Sequence, residues 1–568
     1  MVSKLMGFWP WSSSSGGNEI VKQASELRQL YAERNKAFER WYELLSLKDK
    51  LAQDGMESFV GNDPRTTWNM ATYLLQPRPL SNKIVTLDGV ALSDDARDTA
   101  HVIEQYFNRL WLDIDGRGQA TGDPSWFHGY VGMALLTGWS VTPYWVDNKG
   151  VVTLNYWNPA TVFPEWGEDG LVRLARMRVL SGSQARLVAR REGWADGNYA
   201  NRVTEYQLWI RDGGLVWHGV SFDSQIVKEL TPVLGIERIP VLVLTMGGLP
   251  DSGEQDLSVL MSTIGQSILA TNEPIYNQLN KQQTFMQQLL RDTANPRFKI
   301  TQVSGKPVLN NPDDLYKRGS IFELGPNDNI EVMTMPAIPM ELTQGLFSMR
   351  NQLQRGGFSD LTFGNVLQEV TSMLVSQAAE AAMQLIQPYH QAIQYMASTV
   401  TNHWYRAFLD NPSIRPKSWP DIPKGDLDNT RVLSSYTVKI PGDLANRVSL
   451  TKALSPAFEL PQETVAEMLI PEVTNIPDVI AKLDAEKAQM HPYYIQVQLI
   501  RAFERLASRS REFLDEPTAL LFDSVATRLR QELTGPPTPT GGLNLGPGES
   551  QGVIPPQQAT NGVARGIV

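Results

Sequence analysis

At 568 residues, with 42% apolar and 20% charged residues, the chain has the composition of a globular protein and the length for several domains. Its formal net charge of −10 is spread along the sequence, which gives no basic footprint for tight nucleic-acid binding and leaves any DNA contact loose or local. The absence of cysteine excludes disulfides, cysteine-ligated zinc, iron–sulfur clusters and thiol catalysis, and fits an intracellular origin.

The first residues, MVSKLMGFWPWSSSSGG, have too short an apolar core for a signal peptide and a proline inside it, so a flexible arm is expected over 1–23. No run approaches the ~20 apolar residues of a membrane span. Residues 18–51 read as a helix with Leu27, Leu30, Tyr31, Phe38, Trp41, Tyr42 and Leu45 on one side. Asp63-Pro64 is a cap followed by proline at the first helical position, so Arg65 to Gln76 should be helical, ended by Pro77 and Pro79. A further helix is expected from Asp94 to Asp113.

From Trp126 the aromatics crowd together. A helix through Leu136 leads into strands at Ser140–Val146, Val151–Trp157 and Arg173–Leu180, broken by turns at Asp147–Gly150 and Gly167–Gly170. More strands follow at Thr204–Arg211, Leu215–Val220 and Val241–Thr245, making this part a mixed α+β domain.

The stretch from Glu254 to Tyr405 organises the rest. Asp256 to Leu290 places Leu257, Leu260, Ile264, Ile268, Ile275, Leu279, Met286 and Leu290 at helical spacing, with Pro274 expected to kink it. Between Leu257 and Leu290 the only charged side chains are Glu273 and Lys281, and amides such as Asn277, Asn280, Gln283, Gln287 and Gln288 fill the polar positions. A solvated helix ordinarily carries many Lys and Glu. After Asn295-Pro296 come strand candidates at Arg297–Gln302, Ser320–Leu324 and Ile330–Thr334, then a helix from Met340 to Arg355 that Gly356-Gly357 breaks. A loop reaches Val370, and a long helix from Thr371 to Phe408 follows. It carries Leu374, Ala378, Ala381, Leu385, Tyr389, Ala392, Met396, Val400 and His403 as a seam, with a kink expected at Pro388. A strand at Ser434–Ile440 precedes helices at Gln462–Leu469, Ile476–Met490, Tyr493–Glu512 and a last one ending near Leu533. On the third of these, Ile495, Leu499, Phe503 and Leu506 form the apolar face, opposite Arg501, Arg505 and Arg511, with Arg509 at the flank. The Gly- and Pro-rich residues 535–568 read as a disordered tail.

Three places in this order resemble the portal protein of tailed bacteriophages, the head-to-tail connector. They are WFHGYVGMALLTGWSVTPYWVDNKGVVTLNYWNPATVFPEW with its Asn158, Pro159, Val162 and Pro164; the helix, strand insertion, helix order from Glu254 to Arg355; and the Gly-Gly break, loop and long helix from Gly356 to Phe408. The resemblance implies an α+β, mainly helical subunit with wing (24–253), stem helices (254–291 and 339–355), clip (292–338), tunnel loop (356–370), long kinked wing helix and strand (371–460) and helical crown (461–534). It further implies a ring, usually of twelve copies, through which double-stranded DNA enters and leaves the capsid. Implied partners are the terminase large subunit, a head-tail adaptor protein, and the major capsid and scaffolding proteins, with no cofactor and no membrane. The implied location is the virion, and host cytoplasm during assembly.

A channel also accounts for the neutral helix. A helix of about 35 residues spans about 50 Å, past which duplex DNA presents roughly 30 phosphates. A cationic lining would hold such a polyanion still, whereas an amide lining would let it slide. On this view Asn277, Asn280, Lys281, Gln283, Gln287 and Gln288 line the lumen or face a neighbouring subunit, and Lys281, Arg350 and Arg355 are candidates for touching DNA. Gly356, Gly357, Asn365 and Gln368 belong to the tunnel loop, and Arg297, Lys299, Lys306, Lys317 and Arg318 to a clip docking surface. Amide-rich helices also occur in buried bundle positions, clip charges of both signs are ordinarily solvated, and a loop after paired glycines can be a plain connector.

Two other classes stay open at this point. One is a virion structural or adaptor protein without a channel. The other is a carboxylate-based glycoside hydrolase using Glu165, Glu168 and Asp169 beside Trp157 and Trp166, although no metalloprotease, nucleophile-elbow or phosphate-loop string is present and an enzyme is not expected.

Overall fold

The structure is a computed structural model describing residues 16–52, 58–77, 80–87, 92–118, 122, 125–147, 149–195, 197, 199, 201–250, 253, 256–294, 298–301, 303, 327–332, 340–358, 372–416, 419–420, 427, 429–436, 438, 492–512 and 515–534. The chain divides into two compact units, Met1–Thr474 and Asn475–Val568. No helix among the described residues is long and apolar enough to cross a membrane.

The first unit opens with α1 (Gly16–Leu30) and α2 (Ala32–Leu45), where the periodicity predicts one continuous helix. The break falls at Tyr31, whose N–H reaches back three residues to Arg28 O at 3.1 Å. The buried face is largely the expected one, with two departures. Arg34 is buried along with Leu27, Tyr31, Phe38 and Trp41, whereas Tyr42 is exposed. Helix α3 (Asp63–Leu75) begins two residues before the expected start, with Asn62 as its cap and Pro64 in the first turn. Strand β1 (Ser81–Thr86) is followed by α4 (Asp94–Arg117), capped by Ser93 Oγ accepting from Ala96 N. Helix α5 (Trp126–Thr137) is capped in the same way by Ser125 and ends at Gly138, at φ +68°. Only glycine fits there, because a Cβ would run into the backbone of Gln266.

Strands β2 (Trp139–Val146), β3 (Val152–Leu154) and β9 (Val241–Thr245) form one sheet in the order β3-β2-β9. A second sheet is an antiparallel meander of β4 (Val162–Gly167), β5 (Gly170–Ser181), β6 (Arg202–Asp212), β7 (Leu215–Phe222) and β8 (Gln225–Val233). The expected turn at Gly167–Gly170 is the β4–β5 connection, with Gly170 at φ +105°. Strands β4 and β8, which the sequence reading does not include, each contain a proline, Pro164 and Pro232. Both are the edge strands of the meander, where a missing backbone donor is tolerated. Helix α6 (Gly182–Glu192), also unforeseen, starts with a complete capping box between Ser181 and Gln184.

Within this sheet His218 stacks on Trp209 at 3.8 Å and its Nδ1 accepts from Lys228 Nζ at 2.9 Å. Burial and the neighbouring ammonium push the imidazole well below its ordinary value of 6.5. The unfolded chain binds that proton near pH 6.5 and the folded chain resists it, so stability falls as pH drops below about 6.5. The melting temperature is therefore expected to decline between pH 7 and 5, less steeply in His218→Phe; equal slopes would exclude this source.

Helix α7 (Leu257–Thr263) and helix α8 (Glu273–Ala294) replace the single kinked helix expected from Asp256 to Leu290. Pro274 does not kink a helix; it sits in the first turn of α8, where its missing N–H costs nothing. Strands β10 (Phe298–Thr301) and β11 (Asn329–Val332) pair antiparallel, matching two of the three predicted strands, and the third, Ser320–Leu324, lies outside the described residues. Helix α9 (Met340–Arg355) has its expected bounds.

Helix α10 (Ser372–Asp410) is continuous for 39 residues with Pro388 inside it. Its buried stripe runs Ala382, Ile386, Tyr389, Ile393, Met396, Val400, Trp404 and Phe408, so Ala381 and His403 of the expected seam face outward. Strand β12 (Thr430–Ser435), earlier in the chain than expected, pairs with β1 on one edge. On its other edge Asn402 of α10 acts as a further strand residue, donating to Val432 O at 2.6 Å and accepting from Val432 N at 2.7 Å. The core between α4, α5 and α10 is aromatic: Trp111, Phe127 and Trp404 meet there, and Trp111 Nε1 donates to Thr401 Oγ1 at 2.9 Å.

In the second unit, α11 (Pro492–Glu512) and α12 (Glu516–Thr534) form a helical hairpin. The buried stripe is Ile500, Ala507, Ala519 and Ala526, with Phe503 stacked on Phe522. Small alanines let the helices approach closely, so Leu499 and Leu506, expected in the core, lie exposed. That rotation brings Arg511 to Asp523 of α12 as an ion pair and leaves Arg509, not Arg511, on the outer face with Arg501 and Arg505. The helices expected at Gln462–Leu469 and Ile476–Met490, the arm up to residue 15 and the tail from 535 lie outside the described residues.

Candidate channel-lining helix pair

Helix α8 uses three faces for three purposes. The first docks on the chain's own N-terminal helices. Glu273 accepts from Arg40 Nε at 3.0 Å and Trp41 Nε1 at 2.9 Å, Asn280 Oδ1 accepts from Gly61 N at 2.9 Å, and Thr284 Oγ1 accepts from Phe59 N at 3.0 Å. Positions 273, 280 and 284 share one face at helical spacing, with the buried Tyr276 between them.

The second face carries α9, antiparallel to α8. Asn272, at the start of α8, donates to Leu353 O near the end of α9 at 3.0 Å, while Gly345 of α9 faces Gln282. Leu342, Leu346, Met349 and Leu353 form the α9 stripe turned inward, and only Leu346 among them is fully buried. The two glycines after α9 have a packing reason. Asn272 is buried, and a Cβ on Gly356 would collide with its Oδ1, so the backbone can pass only as glycine.

The third face is open. Asn277, Gln278, Lys281 and Phe285 are exposed along it, and Gln288 continues it half-buried. Asn277, Asn280 and Lys281 also border a cleft of 260 Å³ whose other wall includes Lys48, Lys50 and Phe59. Both lysines of that wall reach Glu43, at 2.8 and 2.7 Å, and hold its carboxyl down to about 2.

Of the residues picked from the sequence, Asn277 and Lys281 are exposed, Gln283, Gln287 and Gln288 are half-buried, and Asn280 is committed to Gly61 within its own chain. Arg350 and Arg355 are exposed on α9, and Lys299 is exposed on β10. Arg297, Lys306, Lys317, Arg318, Asn365 and Gln368 lie outside the described residues. Sequence reasoning missed the apolar side chains that the pair leaves uncovered: Phe285 and Leu290 on α8, Met340 and Phe347 on α9. Leu290 was expected inside, and the signal that could have exposed it was the short inward stripe of α9, too narrow to cover both flanks of its partner.

The residues weighed for carbohydrate chemistry have other partners. Glu165 is ion-paired with Arg173, the Trp157 face is covered by the Arg176 guanidinium at 4.0 Å, and Glu168 and Asp169 occupy the β4–β5 turn. Comparison of the sequence with models of known protein families and with curated proteins finds no match to either.

Proposed function

We propose that the chain is the subunit of a viral portal: a ring, with twelve copies as the working number, that lines the passage for double-stranded DNA at one capsid vertex. In that role it docks the terminase large subunit during packaging and a head-tail adaptor afterwards, is held among major capsid and scaffolding proteins, and performs no catalysis itself. The observation that carries this reading is the α8–α9 pair. Two antiparallel helices joined through the β10–β11 strand pair keep open a charge-poor face that is mostly amide and carries Phe285, and leave Leu290, Met340 and Phe347 uncovered elsewhere on the pair. In a closed ring the flanks meet neighbouring copies and the open face meets the lumen. Helix α8, with 22 residues, is about 33 Å long, past which a duplex presents roughly 20 phosphates.

An averaged electron micrograph of the purified particle, viewed down its axis, is expected to show an annulus with a central hole. A compact monomer, or a closed assembly without a hole, would exclude the reading. Substituting Asn277→Lys together with Gln278→Lys adds two cations per copy to the open face. Since 6 to 10 phosphate contacts shift affinity by about 10³ to 10⁵ over a modest salt range, DNA passage should slow at least tenfold and recover as salt is raised. Unimpaired packaging at low salt would remove this face from the channel.

A further inference from the structure

We infer that the outer face of α11 binds the phosphate backbone of duplex nucleic acid. This helix carries Arg501, Arg505, Arg509 and Arg511 against Glu504 and Glu512, a basic excess in a chain of net charge −10. The hairpin sorts those charges. Arg511 is neutralised by Asp523 and Glu504 by Arg530, both partners lying on α12. Arg501, Arg505 and Arg509 remain exposed, with no acidic partner among the described residues. They stand four residues apart on one face, opposite the buried Ile500 and Ala507, and with Ser508 and the Arg530-paired Glu504 border a shallow groove of 390 Å³.

The geometry suits a polyanion better than a folded protein. From Arg501 to Arg509 the row spans about 12 Å, past which a duplex presents roughly seven phosphates. From Arg501 to Arg509 the same face offers Ala502 and Ser508 and no large apolar or aromatic side chain; towards the helix start it continues into Gln498 and Tyr494, whose hydroxyl accepts from Gln498 Nε2 at 2.9 Å. A protein partner needs an apolar anchor at the centre of its footprint, whereas a phosphate backbone is held by guanidinium groups without one. This face therefore has the opposite character from α8: one would hold a duplex, the other would let it pass. The inference rests on α11 alone and stands whether or not the chain closes into a ring.

The test measures binding of a fluorescent 20-base-pair duplex, a length of about two helical turns, to the full chain between 50 and 200 mM salt. In R501Q/R505Q/R509Q, affinity at the low-salt end should fall at least tenfold, and the slope of log affinity against log salt should flatten by about three, one unit per lost phosphate contact. The charge-preserving R501K/R505K/R509K should keep the slope, and Arg511→Gln should leave it unchanged. Equal affinity and slope for the glutamine triple variant and the parent would overturn the inference. So would a parent chain that binds poly-glutamate and not the duplex, which would make the partner an acidic protein.

Discussion

Replacing Arg34 by alanine is expected to destabilise the first unit by roughly 2–5 kcal/mol, the cost of leaving buried carbonyls without their donor and opening a cavity. Arg34 is 1% exposed, and its Nη2 donates to Pro159 O at 2.9 Å and Val162 O at 3.0 Å. Its guanidinium lies 4.2 Å from the Tyr31 ring, 4.8 Å from Trp139 and 5.1 Å from Phe38. Burial lowers its pKa to about 9, so at neutral pH the cation persists inside an aromatic box. Tyr31 adds a hydrogen bond to Pro164 O, and the two side chains together hold the whole Asn158–Pro164 phrase against α1 and α2. Alanine opens a cavity and strips both carbonyls of their donor. Lysine keeps the charge but presents a point rather than a planar fork, so Arg34→Lys should fall between alanine and the parent. All fifteen tryptophans lie before residue 475, so urea unfolding followed by tryptophan fluorescence reports this unit alone. An unchanged midpoint in Arg34→Ala would mean the phrase is held by something else.

Local signals were readable in the sequence where one element's own residues decide its fate. Strand β9 and helix α9 have their expected bounds, and the glycines at 138 and 170 punctuate as glycine should. Failures occur where the deciding partner is distant. Nothing in the residues around Pro164 or Pro232 says that they sit on sheet edges; that depends on five strands assembling first. Strand β12 starts at Thr430, before the Ser434 that its own residues predict, because the side chains of Asn402 and Ser398 on α10, together with β1, set its register, and β1 lies far away in the chain. The same holds for the channel candidates. Asn280 reads as one of several equivalent amides, yet a hydrogen bond to Gly61, 219 residues away, removes it from the open face. Periodicity found the polar helix but ran it through the break between Thr263 and Glu273, and it could not apportion the helix's three faces, which requires knowing what packs on two of them.

In the ring proposed above, Phe347→Asp is expected to abolish closure while leaving the subunit folded. In the single chain Phe347 is 67% exposed, beside the fully buried Leu346 but turned away from α8. Met340, Phe285 and Leu290, at 71%, 59% and 48%, belong to the same helix pair, an apolar content that a solvated hairpin would not keep. Burying one phenylalanine against a neighbour contributes about 1.5–3 kcal/mol, and an aspartate there adds the cost of desolvating a charge. Because every interface in a ring is identical, the loss recurs at each one and closure becomes untenable although no single contact is large. Light scattering coupled to size exclusion should report subunit-sized species for Phe347→Asp and ring-sized particles for Phe347→Leu, which keeps an apolar side chain. Circular dichroism should not distinguish the two variants, since Phe347 contributes little within one chain. Rings that survive the aspartate would place the subunit contact elsewhere, and a variant that loses its helicity would show that this side chain belongs to the fold rather than to the assembly.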